Sequence, residues 1–127
     1  MKKEEFYKEA RQDLTAPLDG VRVLEATTTW AGPMCAAVLA DLGADVIKVE
    51  IPSGDVGRAI SPMLPGTDVS FMHATVNRNK RSLSIDVRSE AGKDIFLKLA
   101  AESDIVVENF KVGNIKLWQL FKTKFAF

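Results

Sequence analysis

The chain has 127 residues, 46% hydrophobic and 27% charged, and its 17 basic and 17 acidic side chains cancel to a formal net charge of zero. That is the composition of a soluble globular domain with a core of its own, and the charge balance argues against a broad nucleic-acid-binding face. One cysteine and one histidine exclude an internal disulfide and make a metal site improbable, since zinc sites draw most of their ligands from those residues. No stretch is apolar for long enough to span a membrane, and residues 1–11 alternate acids and bases without the apolar run of a signal peptide. A reducing cytoplasm is the expected compartment.

In chain order, residues 1–16 read as a charged lead-in. Residues 21–26, Val-Arg-Val-Leu-Glu-Ala, follow the turn pair Asp19-Gly20 and predict a first strand. Residues 31–42 predict a helix with Pro33 in its first turn, Gly43 as its C-terminal cap, and Met34, Ala37, Val38, Leu39, Ala40 and Leu42 as its apolar face. Residues 45–51, Asp-Val-Ile-Lys-Val-Glu-Ile, predict a second strand, so the first three elements form a strand–helix–strand unit of a parallel sheet. Residues 52–67 are a long connection rich in Pro, Gly and Ser, of the kind that more often works than merely connects. A short helix is expected within 68–75 and a third strand at 81–87. A helix capped by Ser89 and running to Ser103 follows, with Ala91, Ile95, Phe96, Leu99 and Ala100 as its buried stripe, and a fourth strand at 104–110. The order predicts an α/β fold with an open parallel sheet. Residues 114–127 differ in texture, with Trp118, Phe121, Phe125 and Phe127 mixed among lysines and no further strand–helix alternation.

Ligands of open α/β sheets bind beyond the carboxyl ends of the strands. Three segments are expected there: 27–32, 50–54 and 108–113. Thr27, Thr28 and Thr29 either cap the first helix or help hold an anion at its N-terminus. A dinucleotide turn would need a glycine-rich run, but residues 26–33 hold a single glycine, Gly32, with Trp30 and the threonines in the way, so Glu50 alone does not make an NAD site. Residues 77–81, Asn-Arg-Asn-Lys-Arg, are the densest basic cluster and read either as phosphate ligands or as a solvated turn. His73 reads as packed or capping, and Cys35 as a small core residue of the first helix.

Residues 17–25, Pro-Leu-Asp-Gly-Val-Arg-Val-Leu-Glu, then Ala31-Gly32-Pro33, residues 39–50, Pro52-Ser53-Gly54-Asp55, residues 79–86 and Val107-Glu108-Asn109-Phe110 stand in the order and spacing of a known group. The chain from 17 to 113 resembles the N-terminal part of family III CoA-transferases (the CaiB/BaiF group, with formyl-CoA transferase, carnitine CoA-transferases and 2-methylacyl-CoA racemases). The resemblance implies a Rossmann-like large domain, incomplete in this chain, that binds CoA or acyl-CoA without a glycine fingerprint and without a metal. It implies CoA contacts at Thr29, Trp30 and Ala31, at Ile85, Asp86, Val87 and Arg88, and at Asn109, Phe110 and Lys111, with Arg88 holding a phosphate. Ile51 and Leu117 stand where some members carry basic residues. Members transfer CoA between carboxylic acids through an aspartate whose carboxylate attacks the thioester. That aspartate lies downstream of the Val-Glu-Asn-Phe segment, so the resemblance implies no catalytic residue in this chain and no activity from it alone. Members are several times longer and form interlocked dimers, so self-association or association with a full-length relative is expected, with residues 114–127 as a divergent or truncated tail. A non-enzymatic interaction fragment and another kind of nucleotide-binding α/β module are the alternative readings.

Overall fold

A computed structural model describes residues 13–118 and Leu120. The expected lead-in lies mostly, and the tail partly, outside the described residues. Four strands, β1 (Arg22–Ala26), β2 (Asp45–Glu50), β3 (Arg81–Ser84) and β4 (Ile105–Glu108), form one sheet in the order β3-β2-β1-β4, and every pairing is parallel. The chain travels outward from β1 to β3 and then crosses back over β1 to β4. This reversal places the topological switch point between β1 and β4, as in doubly wound sheets.

The helices divide accordingly between the two faces. In β1, Val23 and Glu25 point to one side and Leu24 and Ala26 to the other, as strand geometry requires. Val23 joins Val46 and the small residues Ala36, Ala40 and Ala44 in a core under α1 (Ala31–Asp41). Leu24 and Ala26 join Val49, Val87, Phe96 and Leu120 in a second core under α3 (Glu90–Ala101). A 3-10 turn (Val56–Ala59) and α2 (Phe71–Val76) break up the long connection after β2, and a short turn of helix, α4 (Asn114–Leu117), follows β4.

Several expectations shift for local reasons. The third strand ends at Ser84 instead of running to 87. The Ile85 N–H still reaches Glu50 O at 2.9 Å, but the Asp86 carbonyl then turns to accept from Ser89 N and Oγ, at 3.0 and 2.8 Å, and starts α3. The second helix begins after Ser70, whose Oγ accepts from His73 N at 3.3 Å. α1 meets the sheet through Gly32, Pro33, Ala36, Ala37 and Ala40; Ala37 and Ala40 are buried as expected, but this close approach leaves Val38, Leu42 and Cys35 exposed, contrary to their expected places in the apolar face and the core. Gly43 ends α1 with φ of 99°, where a Cβ would also lie 2.5 Å from that of Ala16.

Residues 77–81 turn out to be a clasp. Arg78 pairs with Asp41 at the end of α1, Arg81 binds Asp45 through Nε and Nη2 at 2.9 and 2.6 Å, and Asn79 Nδ2 donates to Asp41 at 2.9 Å. The Lys80 side chain is buried. The cluster fastens the start of β3 to its neighbours, so neither a free phosphate site nor a merely solvated turn describes it.

Candidate functional site: a pocket at the carboxyl ends of the strands

A pocket of about 520 Å³ opens beyond the carboxyl ends of β1, β2 and β3, on the α3 side of the sheet. Val49, Ile51, Ile85, Val87, Phe110 and Trp118 give it apolar walls, and the Phe110 and Trp118 rings meet edge to face with centroids 5.1 Å apart. Glu50, Asp55 and Arg88 are the charged residues of its lining. Apolar walls with a few placed polar groups are the usual make-up of a small-molecule site.

The turn from β1 to α1 forms one edge of the pocket, and its backbone is held residue by residue. Thr27 O accepts from Lys48 Nζ at 3.1 Å. Thr28 N–H donates to Asn109 Oδ1, and Thr28 O accepts from Asn109 Nδ2, both at 2.9 Å, so Asn109 ties β4 to β1 across the switch point. Thr29 takes a left-handed conformation, φ 71°, and its N–H donates to Asp55 Oδ1 at 3.1 Å. A non-glycine residue holds such a φ only where its surroundings fix it.

Beneath this turn, on the α1 side, lies a buried ionic network. Lys48 Nζ sits 3.0 Å from Glu25 Oε1 and 3.2 Å from Asp55 Oδ2. Lys80 Nζ reaches Glu25 Oε2 at 2.6 Å and Pro33 O at 2.7 Å. Thr27 Oγ1 donates to Glu25 Oε1 at 2.5 Å. Two carboxylates thus face two ammonium groups, which is the balance that buried charge requires. Burial pushes the Asp55 carboxyl up, but the N–H groups of Gly57 and Thr29 and the charge of Lys48 outweigh it and hold it below the ordinary value. Glu50 behaves alike: burial raises it, and Arg58, the Asp55 N–H and Lys48 together bring it below the usual range. Its two oxygens accept from Arg58 Nε and Nη2 at 2.8 and 2.9 Å. An acid in this position reads a ribose in dinucleotide enzymes, but here it is committed to Arg58.

The sequence profile of CoA-transferase family III matches residues 18–125. The chain belongs to that family. It is 44% identical over 102 residues to succinyl-CoA:mesaconate CoA-transferase of Haloarcula hispanica, covering 78% of this chain and 26% of that protein. It is 42% identical over 102 residues to formyl-CoA:oxalate CoA-transferase of Streptomyces avermitilis, covering 80% and 25%. A solved CaiB/BaiF family protein from Brucella suis superposes with a TM-score of 0.77 at 42% identity, over 84% of this chain and 29% of that one. The chain therefore spans about a quarter of the length of the curated relatives it matches.

Of the contacts that the family resemblance implies, the fold gathers Ile85, Val87, Arg88 and Phe110 around the pocket. Asp86 stands beside them, its carboxylate accepting from Arg88 Nε and Nη2 at 2.8 and 2.9 Å. That hydrogen bonding lowers the Asp86 pKa and raises that of Arg88. Asn109 is spent on Thr28. Thr29, Trp30 and Ala31 sit at the opening of α1 next to the pocket edge and do not line it; Trp30 is half-exposed and caps the helix without a side-chain hydrogen bond. Lys111 is exposed just past Phe110. His73 is packed, as expected, with Nδ1 3.0 Å from Asn77 Nδ2, and burial lowers its pKa. Sequence reasoning gave no role to Lys48 or Asp55 and placed Lys80 in the basic cluster without its buried partner Glu25. The signal available was a lysine in the middle of the second strand, between Ile47 and Val49 and two positions before Glu50. Among the described residues no cluster of three or more His, Cys, Asp or Glu is placed to hold a metal, and no helix is long and apolar enough to cross a membrane.

Proposed function

We propose that this chain is the CoA-binding portion of a family III CoA-transferase, and that the pocket at the strand ends receives part of CoA or an acyl-CoA. The observation that carries the reading is the meeting of Ile85, Val87, Arg88 and Phe110, from two segments about twenty residues apart, around one apolar pocket at the carboxyl edge. Asp86 takes one edge of the Arg88 guanidinium, and the remaining N–H groups are suited to a phosphate. Backbone and apolar contacts at Thr29, Trp30, Ala31, Asn109 and Lys111 complete the proposed CoA site.

The reading assigns no nucleophile to the pocket. Glu50 and Asp55 each accept from several donors and are held below the ordinary carboxylate range, and Asp86 is paired with Arg88. A carboxylate so engaged is poorly placed to attack a thioester. Transfer of CoA between carboxylic acids would then require a carboxylate from sequence outside this quarter of the family, and the chain as given binds without transferring. Self-association, or pairing with a full-length relative, belongs to the same reading, as does a cytoplasmic location.

The test is calorimetric titration of the 127-residue chain and of Arg88→Ala with CoA and with pantetheine. CoA is expected to bind, and R88A to weaken CoA by about tenfold while leaving pantetheine unchanged. The tenfold figure is the modest end of the range because Asp86 already offsets part of the guanidinium charge. Equal loss for both ligands would mean that Arg88 acts through the fold. A folded wild-type chain that ignores CoA would overturn the reading.

A further inference from the structure

We infer that the Asp55 carboxylate is a resident anion that occupies the oxyanion position of the β1–α1 turn, which makes Asp55 a specificity-determining residue of the pocket. In a glycine-rich turn that opens a helix, the backbone N–H groups face a ligand's phosphates. Here they face the chain itself. From the turn, Thr29 N–H donates to Asp55 Oδ1 at 3.1 Å; Gly57 N–H, in the 3-10 turn that Asp55 caps, donates to the same oxygen at 2.8 Å, and Lys48 Nζ stands 3.2 Å from Oδ2. Two converging backbone donors and an ammonium group, in a position only 6% exposed, make a complete binding set for a small oxyanion. The occupant arrives covalently, on the connection that follows β2.

The adjoining N–H, that of Thr28, is likewise taken, by Asn109 Oδ1 at 2.9 Å. A phosphate approaching the turn thus meets no free donor at Thr28 or Thr29, and it meets the negative charge of Asp55 on the pocket wall. The cation that lines the pocket is Arg88, and a phosphate of a ligand there is directed to it instead of to the turn. The missing glycines are only half of why this turn is not a dinucleotide turn; the other half is that its donors are already engaged.

Asp55→Ala removes a group the size of formate and leaves the Thr29 N–H, the Gly57 N–H and Lys48 around the gap. The experiment compares wild type, D55A and Asp55→Asn, without CoA, in formate and in chloride at equal ionic strength. D55A should gain about 4–8 °C in thermal midpoint in saturating formate relative to chloride, while wild type and D55N, whose gap is filled, should not. Should D55A fail to fold in chloride, its refolding yield from denaturant is the readout, and formate should raise it selectively. Amide resonances of Thr29 and Gly57 should move with added formate or inorganic phosphate in D55A and stay still in wild type. A D55A response to formate no larger than to chloride would overturn the inference. So would a D55N response equal to that of D55A, or phosphate shifting Thr29 in wild type. None of these readouts depends on CoA, so they separate from the CoA-binding reading.

Discussion

Replacing Lys48 with methionine keeps most of the stem and deletes the charge at the centre of the buried network. The lysine side chain is 2% exposed, and its ammonium group contacts Glu25 at 3.0 Å, the Thr27 carbonyl at 3.1 Å and Asp55 at 3.2 Å. Water has little access to these acceptors, so the variant leaves desolvated oxygen atoms without compensation. Breaking a buried pair by removing one partner costs about 3–5 kcal/mol, against a total of about 5–15 kcal/mol for a domain. The charge count indicates what should relieve the loss. With Lys48 gone, Lys80 alone faces Glu25 and Asp55, one negative charge too many. Adding Asp55→Asn restores neutrality, so Lys48→Met/Asp55→Asn should be more stable than K48M by about 1–3 kcal/mol, the size of coupling seen between contacting residues. Urea unfolding followed by tryptophan fluorescence measures both. A K48M loss below about 0.5 kcal/mol, the usual range of surface substitutions, would refute the buried network, and strictly additive losses would refute the coupling.

Other outcomes follow from the same geometry. Stability should fall with acid in two stages. His73 is depressed below 6.5, so the unfolded chain takes up its proton first and stability declines below about that pH. Glu50 and Asp55 are depressed below 4.5 and 3.8, so the stability they contribute is complete above those values and is lost as pH falls through their lower folded values. Urea midpoints across pH should show both stages, and His73→Gln should remove only the first. Gly92→Ala should destabilise by about 1–3 kcal/mol or more, because its Cβ would lie 2.0 Å from Asp86 O and 2.7 Å from Asp86 C, atoms of backbone that cannot swing away; a neutral result in urea unfolding would contradict that packing. Cys35, exposed on α1, should react with a thiol reagent in the native state as fast as a free thiol, and protection until unfolding would place it in the core after all. Sedimentation should show concentration-dependent self-association, since β3 and β4 are the edges of the described sheet and Trp30, Val38, Val56 and Phe71 are 47–61% exposed; a compact monomer at all concentrations would count against it.

The parallel α/β architecture was legible because its signals are local. Apolar runs at 21–26 and 45–51, helical spacing at 89–103, and the Asp19-Gly20 and Gly43 breaks mark strand, helix and turn without help from distant residues. The edge of the sheet where a ligand would enter was legible too, since strand direction follows from strand–helix–strand order. The face that α1 buries was legible only in part. Ala37 and Ala40 are buried as expected, but Val38 and the capping Leu42 are exposed while Gly32, Pro33 and Ala36 are buried, so hydrophobicity alone misplaces the rest of the face. What decides that helix is the short distance to the sheet, which admits only small residues.

Charge shows the same division. From sequence, Lys48 is a cation in an apolar strand, Asp55 an acid in a loop, and Lys80 one of several basic residues in a cluster. Composition and periodicity determined the elements and their order, and the motifs from Pro17 to Phe110 carried the resemblance to the family. Only the tertiary structure decided which charges meet, because Glu25, Lys48, Asp55 and Lys80 lie on separate elements and pair only once β1 and β2 are in register, with Glu25 opposite Lys48, and the later segments fold back over them. An ion pair depends on distance and burial, and neither is a property of a residue's position along the chain.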